Sequence, residues 1–137
     1  MGSVHLELLG EAHLGALGAM LSDPDVLRFT RVPEPTPADF PQQWLATYEA
    51  GRRDGTREAF AALDGDGRLV GLALAFGIDL KEGEAELGYI VAPEDRRADA
   101  AGAGYAREGV MRSVHFKNGR RIDAVLLSRL RSDPAPP

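Results

Sequence analysis

The spacing of apolar residues changes from a period of two to a period near 3.6 and back again along the chain. Val4 to Leu9 alternates and predicts a first strand; Leu14, Leu17, Met20 and Leu21 then fall at helical spacing. That predicts a short amphipathic helix, stopped by Ser22, Asp23 and Pro24. DVLRFT leads on into a stretch holding Pro33, Pro35, Pro37 and Pro41. A second helix is predicted inside it, with Thr36 as N-cap, Pro37 at the first helical position and Asp39 at the third. Phe40, Trp44, Leu45 or Ala46, and Tyr48 share its buried side, and Gly51 ends it. A Pro-rich loop before such a helix can line a substrate entrance; the aromatics can equally serve only to anchor the helix.

From residue 57 onward the pattern is that of strands. Residues 57–64 and 68–79 flank the turn DGDG (64–67), and residues 85–93 follow the turn KEGE (81–84), with Pro93 closing the strand. These three strands form a meander. Residues 109–116 and 120–130 flank Asn118-Gly119, the dipeptide suited to a two-residue turn with positive φ at both positions. A second, basic hairpin therefore ends a domain expected to span 1–131, and the tail 132–137 is expected to be disordered.

A length of 137 residues with 44% hydrophobic and 27% charged residues fits one ordinary globular domain. No apolar run reaches the roughly 20 residues of a membrane-spanning helix, and the first ten residues lack the blocks of a secretory signal, so a cytoplasmic location and no membrane partner are expected. The absence of cysteine excludes disulfides, thiolate metal sites and cysteine nucleophiles. Residues 1–94 carry seven Lys and Arg against sixteen Asp and Glu, net −9, whereas 95–137 carry nine against five, net +4. The acidic total speaks against a nucleic-acid partner, while the basic end can hold an anion or pair with the acidic part. His5, His13 and His115 are scattered without ligand spacing, so no metal is expected, and no serine sits in a Gly-x-Ser-x-Gly setting.

The segments LSDPDVLRFT (21–30), DGDGRLVGLALAFGID (64–79), AELGYIVAPE (85–94) and AGYAREGVMRSVHFKNGRRIDAVLLSRL (103–130), in that order, resemble the GNAT N-acetyltransferase superfamily, in its branch that acetylates protein N-termini and small amines. The resemblance implies an α/β fold of the α+β type. Its elements are a mainly antiparallel sheet, two N-terminal helices and a C-terminal β-hairpin. It also implies acetyl-CoA as cosubstrate and an amine, on a peptide or a small molecule, as acceptor. In the family the fourth strand bulges and leaves amides for the thioester arm, which here belong to Ile90 and Val91. Arg96 and Arg97 supply charge for the pyrophosphate. Glu86, on the same strand face as Gly88 and Ile90, is implied as the base that deprotonates the amine, and Phe29 and Trp44 fall on the acceptor side.

The family places a glycine-rich phosphate loop, a crossover helix and a fifth parallel strand after the Ala-Pro-Glu sequence. Here only residues 95–102 separate Glu94 from Ala103, and Asp99 stands where the loop has glycine. A parallel crossover alone needs a dozen or more residues, so the chain reads as shortened in the middle, with a junction near 97–102. Removing that strand exposes the edge of the fourth one, where a homodimer can pair. Two readings stay open at this point: an acetyltransferase with a truncated cofactor site, and a non-catalytic remnant acting as a binding or dimerisation module.

Overall fold

A computed structural model describes residues 4–92 and 104–135. The chain divides into two compact units, residues 1–95 and 96–137.

In the first unit, strand β1 (His5–Leu8) is followed by a 3-10 turn (Glu11–His13) and helix α1 (Leu14–Leu21). Leu17, Met20 and Leu21 are buried, as their spacing predicts. Ser22-Asp23-Pro24 closes α1 and also opens another helix, α2 (Pro24–Phe29): the Asp23 carboxylate accepts from the amides of Asp25 and Val26, and Pro24 takes the first turn. The Pro-rich segment runs to α3 (Phe40–Asp54), which begins three residues later than predicted. Asp39 holds the N-cap position, and the Thr36 hydroxyl donates instead to the Pro33 carbonyl at 2.9 Å. Gly51 does not end α3. It is buried within the helix, where an added Cβ would lie 2.4 Å from Arg57 Cβ; the glycine is there for close packing. Termination falls to Gly55, whose φ of 73° is the left-handed cap conformation.

Strands β2 (Glu58–Leu63), β3 (Leu69–Asp79) and β4 (Glu84–Val91) form the expected meander, and β1 pairs with β2, giving an antiparallel sheet of order β1-β2-β3-β4. Strand alternation places Ala59 and Ala61 with Leu72 and Leu74 on one face. That face carries the helices. Leu9, Leu17, Leu21, Leu45, Tyr48 and Leu72 are all buried there, and Trp44, Phe40, Leu74 and Ile90 pack against the edge of the same cluster. Ala59 and Ala61 have no exposed surface, which lets α3 approach the sheet closely.

The β2–β3 turn is organised by Asp64, whose carboxylate accepts from the amides of Asp66 and Arg68 and from Arg68 Nε. These bonds to its charged form hold its pKa below the ordinary Asp range, the Arg68 amide contributing most. A carboxylate whose folded pKa is depressed adds stability above its unfolded pKa and loses it as pH falls through the folded value. Asp64→Ala is therefore expected to lower the thermal midpoint at pH 7, by an amount that shrinks as pH falls through the folded value, in paired melts across pH.

The second unit holds β5 (Ala106–Lys117) and β6 (Arg120–Ser128), joined at Asn118 (φ 51°) and Gly119 (φ 75°), both positive as the dipeptide predicts. Three residues of β5, Arg112 to Val114, stand opposite Asp123 alone. Ser113 takes a positive φ there, and its amide donates to the Asp123 carboxylate at 2.8 Å. Beyond β6 the chain makes a turn in which the Leu130 amide donates to the Asp133 carboxylate at 2.7 Å.

Candidate functional site

Three of the residues singled out by sequence, Glu86, Ile90 and Val91, lie on β4. Its pairing with β3 sets Ile90 opposite Leu72, Gly88 opposite Leu74 and Glu86 opposite Phe76, so the three β4 side positions share the helix-bearing face. Ile90 packs against the core at one end of the row. Gly88 sits close to the Phe76 ring, which leans across from β3: an added Cβ would lie 3.1 Å from it, and the ring would have to give by a few tenths of an ångström. Glu86 ends the row in solvent, and it makes no hydrogen bond or ion pair among the described residues. A carboxylate beside an aromatic ring, held on a strand and without a partner of its own, is free to take a proton from an incoming ammonium.

Around it the surface is acidic. Asp79, Glu82, Glu84 and Glu86 are all exposed on the β3–β4 turn and its flanks, with Lys81 the single cation between residues 79 and 86. Asp79 spends its Oδ1 on the amides of Lys81 and Glu82, fixing the turn. Such a rim raises the local concentration of cationic amines.

The backbone departs from the family expectation. Register with β3 is continuous from Glu86 to Val91, and the irregularity lies on β3, where Phe76 to Asp79 opposes Glu84 to Glu86 and Gly77 has φ 57°. The bulge implied for the fourth strand is thus absent from this ladder. The Ala92 amide donates to the Val70 carbonyl at 2.8 Å. By alternation the Ile90 amide also turns toward β3 and the Val91 amide turns to the other edge. An added Cβ on Gly71 would lie 2.8 Å from the Ile90 carbonyl, so a glycine is required beside this segment.

Trp44 lies on α3, on the same side of the sheet as Glu86, with its ring centroid 4.5 Å from that of Tyr48. Burial pushes the Tyr48 phenol up, partly offset by the charge of Arg57, whose guanidinium stands 5.8 Å from the ring centroid. Phe29 ends α2; its side chain is not among the described ones. Arg96 and Arg97, and with them the expected junction near 97–102, lie outside the described residues.

Sequence reasoning missed Phe76 over Gly88, because a cross-strand diagonal contact depends on register. It also missed an open hollow of about 360 Å³ in the second unit, lined by Tyr105, Arg129, Leu130 and Arg131. Among the described residues no group of His, Cys, Asp and Glu of metal-binding size occurs, and no helix is long and apolar enough to cross a membrane.

Residues 4–134 match the family model of the acetyltransferase (GNAT) domain, and the chain belongs to that family. Its fold is similar to that of RimL, a ribosomal protein α-N-acetyltransferase in complex with coenzyme A. The TM-score is 0.79 at 12% identity, over 93% of this chain and 94% of that one. It is also similar to spermidine N-acetyltransferase from Vibrio cholerae in complex with coenzyme A and spermine. There the TM-score is 0.71 at 18% identity, over 90% of this chain and 95% of that one. Identities this low speak for the fold alone. No curated protein matches the chain by sequence.

Proposed function

We propose that this chain transfers an acetyl group from acetyl-CoA to a cationic amine, on a small molecule or a peptide N-terminus, and that Glu86 is its base. The observation that carries this reading is the position of Glu86: a carboxylate on β4 of a GNAT domain, without a hydrogen bond or ion pair among the described residues, on the face shared with Ile90 and Trp44. Glu86 takes the proton of the bound ammonium, and the freed amine attacks the thioester carbonyl. The C–S bond then breaks, and the thiolate leaves to be protonated. Segment Ile90–Val91 lies along the thioester arm, Arg96 and Arg97 meet the pyrophosphate, and Phe29 and Trp44 border the acceptor. The acidic rim at 79–86 favours polyamines and other multiply charged amines, the class of ligand bound in the spermidine N-acetyltransferase structure. The cytoplasm, where acetyl-CoA and such amines meet, is the location this function needs.

The short segment between Glu94 and Ala103 favours a second reading, a non-catalytic binding module. Isothermal titration of the full chain with acetyl-CoA separates the two. Saturable one-to-one binding with a dissociation constant of roughly 1–100 μM, followed by acetylation of spermidine or of a peptide N-terminus, is expected. A folded protein that releases no heat at millimolar acetyl-CoA overturns the enzyme reading and leaves the module.

A further inference from the structure

We propose that Phe76 selects the acceptor: its ring receives the carbon chain behind an ammonium held at Glu86, so the site takes aliphatic ammonium ions in which methylene groups follow the nitrogen. This rests on the reading that the acceptor amine docks at Glu86, and it adds a second residue and a substrate class. Phe76, Glu86, Gly88 and Ile90 all belong to the first compact unit, residues 1–95.

Phe76 stands directly opposite Glu86, in the last pair before the β3–β4 ladder becomes irregular. Side chains paired in this way share a face, with Cβ atoms about 5 Å apart. A cation at the Glu86 carboxylate therefore comes within the roughly 6 Å over which an aromatic ring attracts it. The ring leans toward the Ile90 end of the row, since its Cε1 and Cζ would lie 3.1 and 3.7 Å from a Cβ on Gly88. It is half-buried, whereas Glu86 is exposed. Glycine inside a strand weakens the strand and often marks a close approach; at position 88 it leaves the room that the ring enters. Carboxylate, ring and the Ile90 side chain thus follow one another along one face of β4.

The kind of residue at position 76 matters as much as its place. A Lys or Arg across from a strand carboxylate would pair with it and occupy Glu86. Phenylalanine leaves the carboxylate open and offers the charge of an ammonium, spread onto its neighbouring methylene, the negative face of a ring. The backbone groups of the row are already spent. The Ala92 amide donates to the Val70 carbonyl, and by alternation the amides and carbonyls of Glu86, Gly88 and Ile90 also turn toward β3. An aliphatic ammonium needs nothing from them, but the amide beside a peptide's α-ammonium would find no partner in this row. The nitrogen is cationic on arrival and becomes positive again as it attacks the thioester carbonyl. The ring serves both states, so its loss should fall on KM rather than on kcat.

Binding to the full chain tests this without acetyl-CoA, at about pH 6.5 where amines are cationic, read on the proton NMR signals of three small probes. Butylamine should bind with a dissociation constant in the millimolar range, its nitrogen-bound methylene shifted upfield by the ring. Butan-1-ol, the neutral counterpart, and glycinamide, cationic but with an amide next to its methylene, should each bind at least about fivefold more weakly. Phe76→Leu, checked for folding by circular dichroism, should weaken butylamine binding at least about fivefold and abolish the upfield shift, while Phe76→Tyr keeps both. With acetyl-CoA present, Phe76→Leu should raise KM for butylamine by a similar factor and leave kcat within about twofold. A folded Phe76→Leu chain that binds butylamine as the wild type does overturns the proposal. So does a wild type that binds no butylamine at about 50 mM, or that binds butanol or glycinamide as tightly; that comparison needs no variant. Butylamine bound through Phe76 but never acetylated overturns the enzyme reading instead and leaves this one standing.

Discussion

Glu86→Gln is expected to lower kcat for acetyl transfer by about two to three orders of magnitude at neutral pH while leaving the affinity for acetyl-CoA unchanged. Glutamine keeps the shape and polarity of the side chain but cannot accept the proton of an ammonium. The amine must then arrive already neutral, so the remaining activity should climb about tenfold per pH unit toward the pKa of the acceptor. The wild type should rise and level off earlier. Glu86 is exposed and has no hydrogen bond or ion pair among the described residues, so the substitution should leave the melting temperature within about 1 °C of wild type. Steady-state kinetics from pH 6 to 10, with cofactor binding measured in parallel, would contradict the assignment if both proteins gave the same profile.

Leu72→Ala is expected to be the most damaging single truncation in the sheet, costing about 3–5 kcal/mol in denaturant unfolding. Leu72 is only 2% exposed. Its neighbour across β2 is Ala61, with Ala59 one step along the same face, so no β2 side chain is long enough to fill the cavity. The same residue backs Ile90 in register on β4. A hole there should loosen the row that seats Glu86, so that activity at a temperature where the protein is still folded falls more than the folded fraction does. A loss below about 1 kcal/mol would mean that the core rearranges around the gap.

Where the chemistry of a segment is local, the sequence was enough to read it. Asn118-Gly119 needs positive φ at both residues and has it; Leu17, Met20 and Leu21 follow a single helical stripe and are buried. The limits of the helices were less legible, because one residue can serve two ends. Asp23 reads as the stop of α1 yet caps α2 with its side chain, and the same Asp-Pro signal would have announced that helix. Gly51 reads as a terminator, but its role is to admit Arg57, a contact between segments that local propensity does not register. At the site, strand alternation was sufficient to put Glu86 and Ile90 on one face. The Phe76 ring over Gly88 and the inward turn of the Ile90 amide depend on which β3 residue stands opposite, and that is fixed by pairing between strands.

The extra residue of the β3–β4 ladder lies between Gly77 and the turn, beyond Glu86 as seen from Ile90. Side chains on a strand reverse direction at every step, so an insertion turns over whatever lies on its far side from the anchored end. Here the anchored end is Ile90, packed in the core. Residues 80–83 can therefore lengthen or shorten among descendants of this chain without moving the carboxylate from its side of the sheet. One residue added between Glu86 and Ile90 would send it to the opposite surface. Tolerance of length change should thus stop abruptly at Glu86, a boundary that a scan of single-residue insertions through 78–91 would trace directly.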